Sequence, residues 1–386
     1  MRPNILVFCS WLDVDTGAGN FFIEQSELVM EFYNSILVVF KPLKSSIKKL
    51  NHNDAFSITE KKSNQGLLVL EVNYPINDKY PKYVNSYFKN KTIDLLYNYL
   101  KNKGLVISLI HAHSLFDAGI WAYLYSINYQ VSYLITEHNQ LTFFNIGQEK
   151  CQVAKKTLQN AKKICVVSND KARQFIANGL YFDFENVGNL IHERFQFLPK
   201  QPDSKKRLIT IGAHHFLKDQ NTIIKALSIL DKQLKLTIDF VWIGFNGWGG
   251  DYENEIKSLF ANANLKNINI VLIPTANREE IVLQLQNSDA FVFSSLSEGM
   301  PVSVLEALAC GLPVFTSNCG GVDELINDTN GAIYQIKDYN KLAHLLLDFI
   351  EGEKQFDNSL ISNNVIERFG TEAFKLKITK IYQEYI

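Results

Sequence analysis

The sequence predicts an α/β protein built from two doubly wound domains, and three observations lead to this fold class. The chain has 386 residues, a length natural for two domains of about 190 residues each. Apolar runs of strand length alternate with amphipathic stretches of helix length, which is typical of parallel sheets covered by helices on both faces. The alternation forms two series, separated by the polar, proline-bearing stretch 199–206.

The expected strands are short, mostly apolar runs bounded by polar residues or glycine. Such runs are typical of strands buried on both faces of a parallel sheet. In chain order they are Asn4–Cys9, Ile36–Phe40, Leu67–Val72, Val106–Ile110, Val131–Thr136, Lys163–Val167, Arg207–Ile211, Thr237–Ile243, Ile268–Leu272, Ala290–Phe293 and Pro313–Thr316.

The expected helices lie between these strands and repeat apolar residues three and four positions apart. They are Val84–Lys103, Gln148–Asn160, Thr222–Leu230, Tyr252–Ala261 and Glu279–Gln286. The final stretch, Tyr339–Ile386, is almost entirely helical in pattern. Ligands of open parallel sheets bind beyond the carboxyl ends of the strands, so functional motifs are expected there.

Composition indicates a folded, cytoplasmic protein. With 46% hydrophobic and 20% charged residues, both domains can bury a full core. No apolar run approaches the roughly 18 residues of a membrane span, and the start of the chain resembles a first strand more than a signal peptide. An odd number of scattered cysteines without a Cys-x-x-Cys pair favours a reducing compartment and argues against a zinc site. They are Cys9, Cys151, Cys165, Cys310 and Cys319.

The net charge of −1 conceals an asymmetry between the two halves. Residues 1–186 carry 20 Lys+Arg against 16 Asp+Glu, and the remainder carries 19 against 24. The basic half contains two clusters of lysines: at 41–50 they alternate with aliphatic residues, and at 80–91 with aromatic residues. They favour an anionic acceptor or peripheral attachment at the inner face of an anionic membrane, and solvated loops are the alternative. We expect no nucleic-acid partner.

The segment 297–314 carries the most specific motif. Glu298 and Glu306 lie eight residues apart, the first before a Gly-Met-Pro turn and the second inside an apolar helical run. Pro301 suits the first turn of a helix, and the N–H groups of Val302 and Ser303 would then face an anion. The predicted ligand combines a phosphate with hydroxyl groups that the two carboxylates can bind. The alternative is a buried helix with two solvated acids.

This segment resembles the signature of the retaining, GT-B-type glycosyltransferases of family four. The resemblance implies two Rossmann-like domains that face a central cleft: an acceptor-side domain at 1–198, a nucleotide-sugar-binding domain at 199–370, and a terminal helix at 371–386 that packs back on the first domain. It also implies that one short segment binds the donor. Its residues are Glu298, Gly299, Met300, Pro301, Val302, Ser303 and Glu306.

A second resemblance lies after the first strand of the second domain. Gly212 and Lys218 match the family loop that holds the diphosphate, whereas Ala213 stands where the family has arginine. His214 or His215 would supply a substitute hydrogen-bond donor, or both are polar loop residues. Further along, Gly244 resembles the family's strand-end turn, where backbone approaches the nucleotide; a plain turn is the alternative.

The loop after the first strand contains Gly17 and Gly19, which resemble the family's glycine loop and would lie close to the donor. The same loop contains Asp13 and Asp15, an Asp-x-Asp that also occurs at manganese sites of other glycosyltransferases. We reject a metal site here, because the family resembled needs none. Capping or solvated roles are expected for both carboxylates.

Two histidine motifs end neighbouring strands of the first domain. His113 closes a His-x-His that resembles the family segment whose second histidine lies beside the reacting sugar. Glu137 and His138 match the family's Thr-Glu-His, and they would order the acceptor or assist loss of its proton. A supporting structural role is the alternative for both.

Together the motifs predict a retaining glycosyltransferase that needs no cofactor or metal. It would move a sugar from a nucleoside-diphosphate sugar, with UDP as the expected nucleotide, to a glycan or lipid-linked hydroxyl in surface polysaccharide synthesis. His113, Lys218 and Glu298 are the expected catalytic residues. Two alternatives remain: a sugar-nucleotide epimerase of the same fold, and a catalytically silent nucleotide-sugar-binding subunit, which Ala213 favours and the intact Lys218 opposes.

Overall fold

The structure is a computed structural model that describes residues 2–15, 19–44, 56–76, 82–139, 148–199, 205–246 and 250–386. The chain divides into two compact units. The first comprises Met1–Val167, Lys171–Val187 and Lys375–Ile386, and the second comprises Ser168–Asp170 and Gly188–Phe374.

The first unit is built on a sheet that has eight strands among the described residues. Their order across the sheet is β3-β4-β2-β1-β5-β6-β7-β8. The strands are β1 Asn4–Cys9, β2 Asn34–Lys44, β3 Ser57–Lys62, β4 Leu68–Ile76, β5 Ile107–His113, β6 Tyr133–Glu137, β7 Lys163–Val166 and β8 Phe184–Asn186. The order reverses between β1 and β5, which places the topological switch point, and the expected ligand edge, beyond Cys9 and His113.

One strand of this sheet departs from the predicted all-parallel arrangement. β3 pairs antiparallel with β4, while the other pairs are parallel. Only residues 63–67 join the two strands, too few for the crossover that parallel strands need. β3 was not predicted, because it is a half-exposed edge strand that contains Glu60, Lys61 and Lys62.

The second unit has an all-parallel sheet of six strands within the described part of the chain, in the order β11-β10-β9-β12-β13-β14. These strands are β9 Arg207–Ile211, β10 Ile238–Ile243, β11 Ile268–Ile273, β12 Ala290–Phe293, β13 Val314–Ser317 and β14 Gly331–Tyr334. Here the order reverses between β9 and β12, so the segments that follow these two strands meet at one edge.

Helices connect the strands of both sheets. They are α1 Asn20–Glu27, α2 Lys82–Asn102, α3 Ile120–Tyr129, α4 Gln148–Asn160, α5 Asn169–Ala177, α6 Gln220–Asp231, α7 Glu253–Ala263, α8 Arg278–Gln286, α9 Val302–Ala309, α10 Tyr339–Ile350, α11 Asn358–Phe369 and α12 Thr371–Tyr385. None of these helices, which belong to the described residues, is long and apolar enough to cross a membrane.

Each sheet is covered by its own apolar core, and burial of these side chains is the main stabilising contribution to each unit. In the first unit Phe8, Ile110 and Trp121 belong to one buried cluster. In the second unit Trp242 and Phe315 belong to another. The predicted α/β class with two doubly wound domains is thereby confirmed.

Candidate functional site

In the second unit, the segments after β9 and β12 bring Lys218 to Glu298. The Lys218 ammonium donates to Glu298 Oε1 at 2.7 Å, and the Ser295 hydroxyl donates to the same oxygen at 2.8 Å. Both charged side chains are largely but not fully buried, with 24% and 16% of their surface exposed. Such a pair keeps a cation and a carboxylate fixed at the switch point, where they remain reachable by a ligand.

A glycine pair holds the Glu298 loop in place. The N–H of Glu298 donates to the carbonyl of Cys319 at 2.6 Å. Gly321 adopts a φ of 64°, and a Cβ at this position would lie 1.9 Å from the carbonyl oxygen of Gly299. Only glycine allows that approach, so the Gly320-Gly321 turn fixes the backbone that carries Glu298.

Helix α9 begins one residue later than predicted. Pro301 is its N-cap residue, with φ −69° and ψ 117°, rather than a residue of its first turn. An extended ψ at this position is the usual conformation of an N-cap. The N–H groups of Val302 and Ser303 consequently have no acceptor within the helix, as in any first turn. The preceding carbonyl, of Met300, accepts a hydrogen bond from Asn189 Nδ2 at 2.9 Å.

Glu306, on the buried face of α9, forms an ion pair that the sequence analysis did not foresee. Arg278 Nη1 donates to Glu306 Oε1 at 2.5 Å, and only 5% of the Glu306 side chain is exposed. The guanidinium also lies 4.9 Å from the ring centroid of Phe195. No sequence motif links Arg278 to Glu306, so this pairing was not predicted.

The loop after β9, which was predicted to hold a diphosphate, contains no arginine. Ala213 is buried, and its carbonyl accepts from Gln220 Nε2 at 2.7 Å. His214 Nε2 lies 3.3 Å from Glu255, on the side of α7. His215 Nδ1 instead accepts from the Leu217 N–H at 3.3 Å, which leaves Nε2 as the ring N–H donor. Of the two histidines, His215 is the better candidate for a substitute donor.

Two glycines of this unit occupy the predicted strand ends. Gly212 follows β9, where its N–H donates to the Ile243 carbonyl at 3.0 Å. Gly244 follows β10 with a φ of 81°, and among the described residues no atom lies within 4 Å of a Cβ placed on it. This backbone conformation favours glycine.

In the first unit, β5 and β6 bring three histidines together. His113 Nδ1 lies 2.9 Å from His138 Nε2. His111 contacts the Tyr382 hydroxyl at 2.8 Å through Nδ1 and the Thr136 hydroxyl at 2.7 Å through Nε2. Burial holds the pKa of His113 well below its usual value, and the neighbouring His111 and His138 lower it further. His113 is therefore a neutral imidazole at physiological pH.

Glu137 faces backbone N–H groups. Its two oxygens accept from the N–H groups of Leu115 at 2.7 Å and Asn139 at 2.8 Å, and burial raises the pKa of the carboxyl. The segment it holds is strained, since Ser114 and Asp117 have φ values of 77° and 65°. These contacts favour the supporting structural role over proton transfer for Glu137.

The glycine loop of the first unit is described only in part. Gly17 lies outside the described residues, whereas Gly19 is the N-cap residue of α1 with a φ of 78°. Asp15 forms an ion pair with Lys61 at 2.6 Å, and its N–H donates to Asp13 Oδ1 at 2.9 Å. Across the described ranges, no group of three or more His, Cys, Asp or Glu side chains is arranged to hold a metal ion.

The two basic clusters are also only partly described, because residues 45–55 and 77–81 fall outside the described ranges. Lys41 forms an ion pair with Glu71 at 2.6 Å. Lys91 lies 4.4 Å from the ring centroid of Phe56, and burial lowers the pKa of Lys89. These three lysines therefore interact within the unit itself.

We expect the buried histidines to make stability depend on pH. Burial lowers the pKa of His111 from 6.5 to about 4. Between these values the unfolded chain binds a proton that the folded state does not, so the free energy of unfolding falls as pH falls, by at most about 1.4 kcal/mol per pH unit. The raised pKa of Glu137 acts in the opposite direction above pH 4.5.

Denaturant unfolding of the wild type and His111→Gln between pH 4 and 7 isolates the histidine contribution. The variant should show a weaker loss of stability on acidification. Equal pH slopes in the two proteins would show that His111 is not held neutral in the fold.

Comparison with known proteins bears on these sites. Residues 192–365, which contain Lys218, Arg278, Glu298 and Glu306, match the family model described as "Glycosyl transferases group 1". The match supports a group 1 glycosyltransferase.

Three curated relatives match parts of the chain. The amylovoran biosynthesis glycosyltransferase AmsK of Erwinia amylovora is 32% identical over 154 residues, which are 38% of this chain and 36% of AmsK. The N,N'-diacetylbacillosaminyl-diphospho-undecaprenol alpha-1,3-N-acetylgalactosaminyltransferase of Campylobacter jejuni is 42% identical over 110 residues, 28% of each chain. The UDP-Gal:alpha-D-GlcNAc-diphosphoundecaprenol alpha-1,3-galactosyltransferase of Escherichia coli is 34% identical over 100 residues, 25% of each chain. The matches thus span 25% to 36% of these relatives' lengths.

A solved structure resembles the whole chain. The glycosyltransferase from Rickettsia africae ESF-5 has a TM-score of 0.74 and 18% identity, and the match covers 100% of this chain and 98% of that one. At this identity the likeness shows the fold alone. It agrees with the two Rossmann-like units described above, the architecture of GT-B glycosyltransferases.

Proposed function

We propose that this chain transfers a sugar from a nucleoside-diphosphate sugar to a hydroxyl of a glycan or lipid-linked acceptor, with retention of the anomeric configuration and without a metal. The Lys218–Glu298 pair beside the first turn of α9 carries the proposal. A diphosphate suits the ammonium and the N–H groups of Val302 and Ser303, while hydroxyl groups of the sugar suit the Glu298 carboxylate.

The residues suggest how the reaction proceeds. When the bond between the anomeric carbon and the β-phosphate oxygen breaks, negative charge develops on the departing diphosphate, and Lys218 stabilises it. The acceptor oxygen forms its bond to the anomeric carbon on the same face, and its proton passes to the departing diphosphate. Glu298 and Glu306 lie in ion pairs with cations, an arrangement that suits substrate binding better than nucleophilic attack.

A panel of nucleotides tests the donor class. We propose UDP-sugars because the Escherichia coli relative is named for UDP-Gal. The free-ligand relation predicts a stabilisation of about 2.7 kcal/mol at a ligand concentration 100 times Kd. Thermal unfolding with UDP, GDP, UDP-glucose, UDP-galactose and UDP-N-acetylglucosamine should single out uridine nucleotides. Stabilisation by guanosine nucleotides alone would show that the donor carries guanosine rather than uridine. Stabilisation by none of the ligands would contradict a nucleoside-diphosphate sugar as the donor.

The carboxylate of Glu306 is expected to bind the ribose diol, exchanging part of its contact with Arg278 for the hydroxyl groups. Loss of a charged hydrogen bond typically costs about 1.5–3 kcal/mol, so Glu306→Ala should raise the Kd for UDP about ten- to a hundredfold. Calorimetric titration measures this change, and Glu253→Ala, which removes an exposed carboxylate from α7, serves as the control. An unchanged Kd in a folded Glu306→Ala protein would contradict the assignment.

We propose an undecaprenyl-diphosphate-linked acceptor, handled by the first unit at an anionic membrane surface. Two of the relatives are named for undecaprenol-linked substrates. Each lysine near an anionic surface contributes roughly 1 kcal/mol of attraction. Binding of the protein to lipid vesicles should therefore require anionic lipid and weaken as the salt concentration rises. Sedimentation with phosphatidylglycerol and phosphatidylcholine vesicles at 50 and 300 mM salt, as approximate working concentrations, measures it. Equal, negligible binding to both would favour a soluble glycan acceptor.

The two other functions considered from the sequence gain no support from the relatives, whose names all denote transferases. An epimerase would convert the nucleotide-sugar without an acceptor. A silent subunit would bind the donor and leave it unchanged.

A further inference from the structure

A partly exposed tryptophan stands at the switch point of the first unit. Trp11 has 36% of its surface exposed, whereas Trp121 and Trp242 are buried. It follows β1, whose last residue Cys9 pairs in register with His113 of β5. The hydroxyl of Ser10 donates to the carbonyl of His113 at 2.6 Å. The backbone that carries Trp11 is therefore tied to the strand end that carries His113.

Ring contacts fix the orientation of the indole. Its centroid lies 5.2 Å from the ring of Phe22 and 6.5 Å from the ring of His138, both in edge-to-face geometry. Phe22 in turn lies 4.9 Å from His113. On the backbone side, a Cβ at Gly19 would lie 2.6 Å from the Trp11 carbonyl oxygen, so the glycine loop packs closely against this residue. The indole is held in one orientation while part of its surface faces solvent.

We propose that Trp11 is a stacking platform for a pyranose ring of the acceptor, an inference that rests on the proposed function. A pyranose has a face of C–H groups and a rim of hydroxyl groups. A tryptophan ring offers a rigid apolar surface of similar size, and its ordering costs little conformational entropy. His138, whose ring centroid lies 6.5 Å from that of the indole, supplies a polar group beside that surface, where it meets a hydroxyl group of the rim. The subsite is thus matched to a cyclic sugar rather than to a bare phosphate or an open-chain polyol.

Saturation-transfer NMR with simple probes tests this subsite. The probes are methyl α-D-glucopyranoside, methyl α-D-galactopyranoside and methyl α-N-acetyl-D-glucosaminide, with mannitol as the acyclic control. We expect at least one pyranoside to receive saturation, strongest at the protons of one ring face, and mannitol to receive little. Trp11→Ala should reduce the signal at least fivefold, roughly the effect of losing one aromatic contact, whereas Trp11→Phe should retain part of it.

Tyr181→Ala is the matched control, since Tyr181 is an aromatic residue with 75% exposure in the segment that leads into β8, at the amino end of that strand. It should leave the saturation signal unchanged. Binding of UDP, measured in the same samples, separates the two hypotheses. Failure of wild-type protein to bind any nucleotide would contradict the proposed function. Nucleotide binding together with equal pyranoside signals in wild type and Trp11→Ala, or with no pyranoside signal at all, would overturn the platform alone.

Discussion

Lys218→Ala should lower kcat for sugar transfer by about two to three orders of magnitude, the effect of removing one preorganised donor from a developing oxyanion. The change deletes the ammonium proposed to stabilise the departing diphosphate and leaves the Glu298 carboxylate without its partner at 2.7 Å. Repulsion between that carboxylate and the diphosphate should also raise the KM for the donor. Steady-state kinetics with the best donor from the nucleotide panel measures both parameters.

Lys257→Ala is the control for this experiment, because the Lys257 side chain is exposed on α7, in an ion pair with Glu253 at 2.6 Å. Its activity should match the wild type. Lys218→Arg keeps the charge but changes its geometry, and we expect activity between wild type and Lys218→Ala. A folded Lys218→Ala enzyme with more than a third of wild-type kcat would show that Lys218 does not face the leaving group.

His113→Phe should reduce kcat by about a hundredfold, within the range for loss of a positioned polar group at a reacting centre. Phenylalanine preserves ring contacts with Phe22 and His111, at 4.9 and 4.3 Å, while it removes the hydrogen bond to His138. The donor Kd should remain unchanged, because the nucleotide is proposed to bind the second unit. Kinetics and calorimetric titration on the same preparation separate the two effects.

His344→Phe provides the matched control, since His344 is an exposed histidine on α10 of the second unit, whereas His113 belongs to the first. Thermal unfolding shows whether His113→Phe still folds. Wild-type turnover in a folded His113→Phe enzyme would leave His113 with a packing role only.

The fold could be predicted largely from periodicity. The bounds of β1, β9, β12 and α4 agree with the predicted ones, because each is an apolar run or amphipathic stretch with clear polar ends. Two strands besides β3 were missed. β8 has three residues, with Glu185 at its centre, and β14 follows a polar turn with only four residues. Pairing with neighbouring strands determines whether such a short segment becomes a strand, and the local sequence does not show this pairing.

The candidate site could be predicted only as a set of loops. Lys218 and Glu298 both follow predicted strands of the second domain, which places them at one edge of its sheet. The 2.7 Å contact between them depends on side-chain geometry, which the sequence pattern does not give. The Arg278–Glu306 pair joins α8 to α9, and no spacing rule connects positions that far apart. Trp11 belongs to no predicted motif, and its ring contacts involve α1 and the residue after β6, which no local pattern connects to it.

Observation of the reaction product decides whether this protein transfers a sugar to an acceptor. Proton NMR follows a reaction of the enzyme, the best nucleotide-sugar, excess EDTA and an undecaprenyl-diphosphate-linked glycan in detergent. We expect the donor's anomeric signal to be replaced by that of a new glycoside with the same anomeric configuration, together with free nucleoside diphosphate. An inverted glycoside would contradict retention, and a reaction that needs added manganese would contradict metal independence. An epimerised donor, or a donor that binds and stays intact, would contradict the transferase itself.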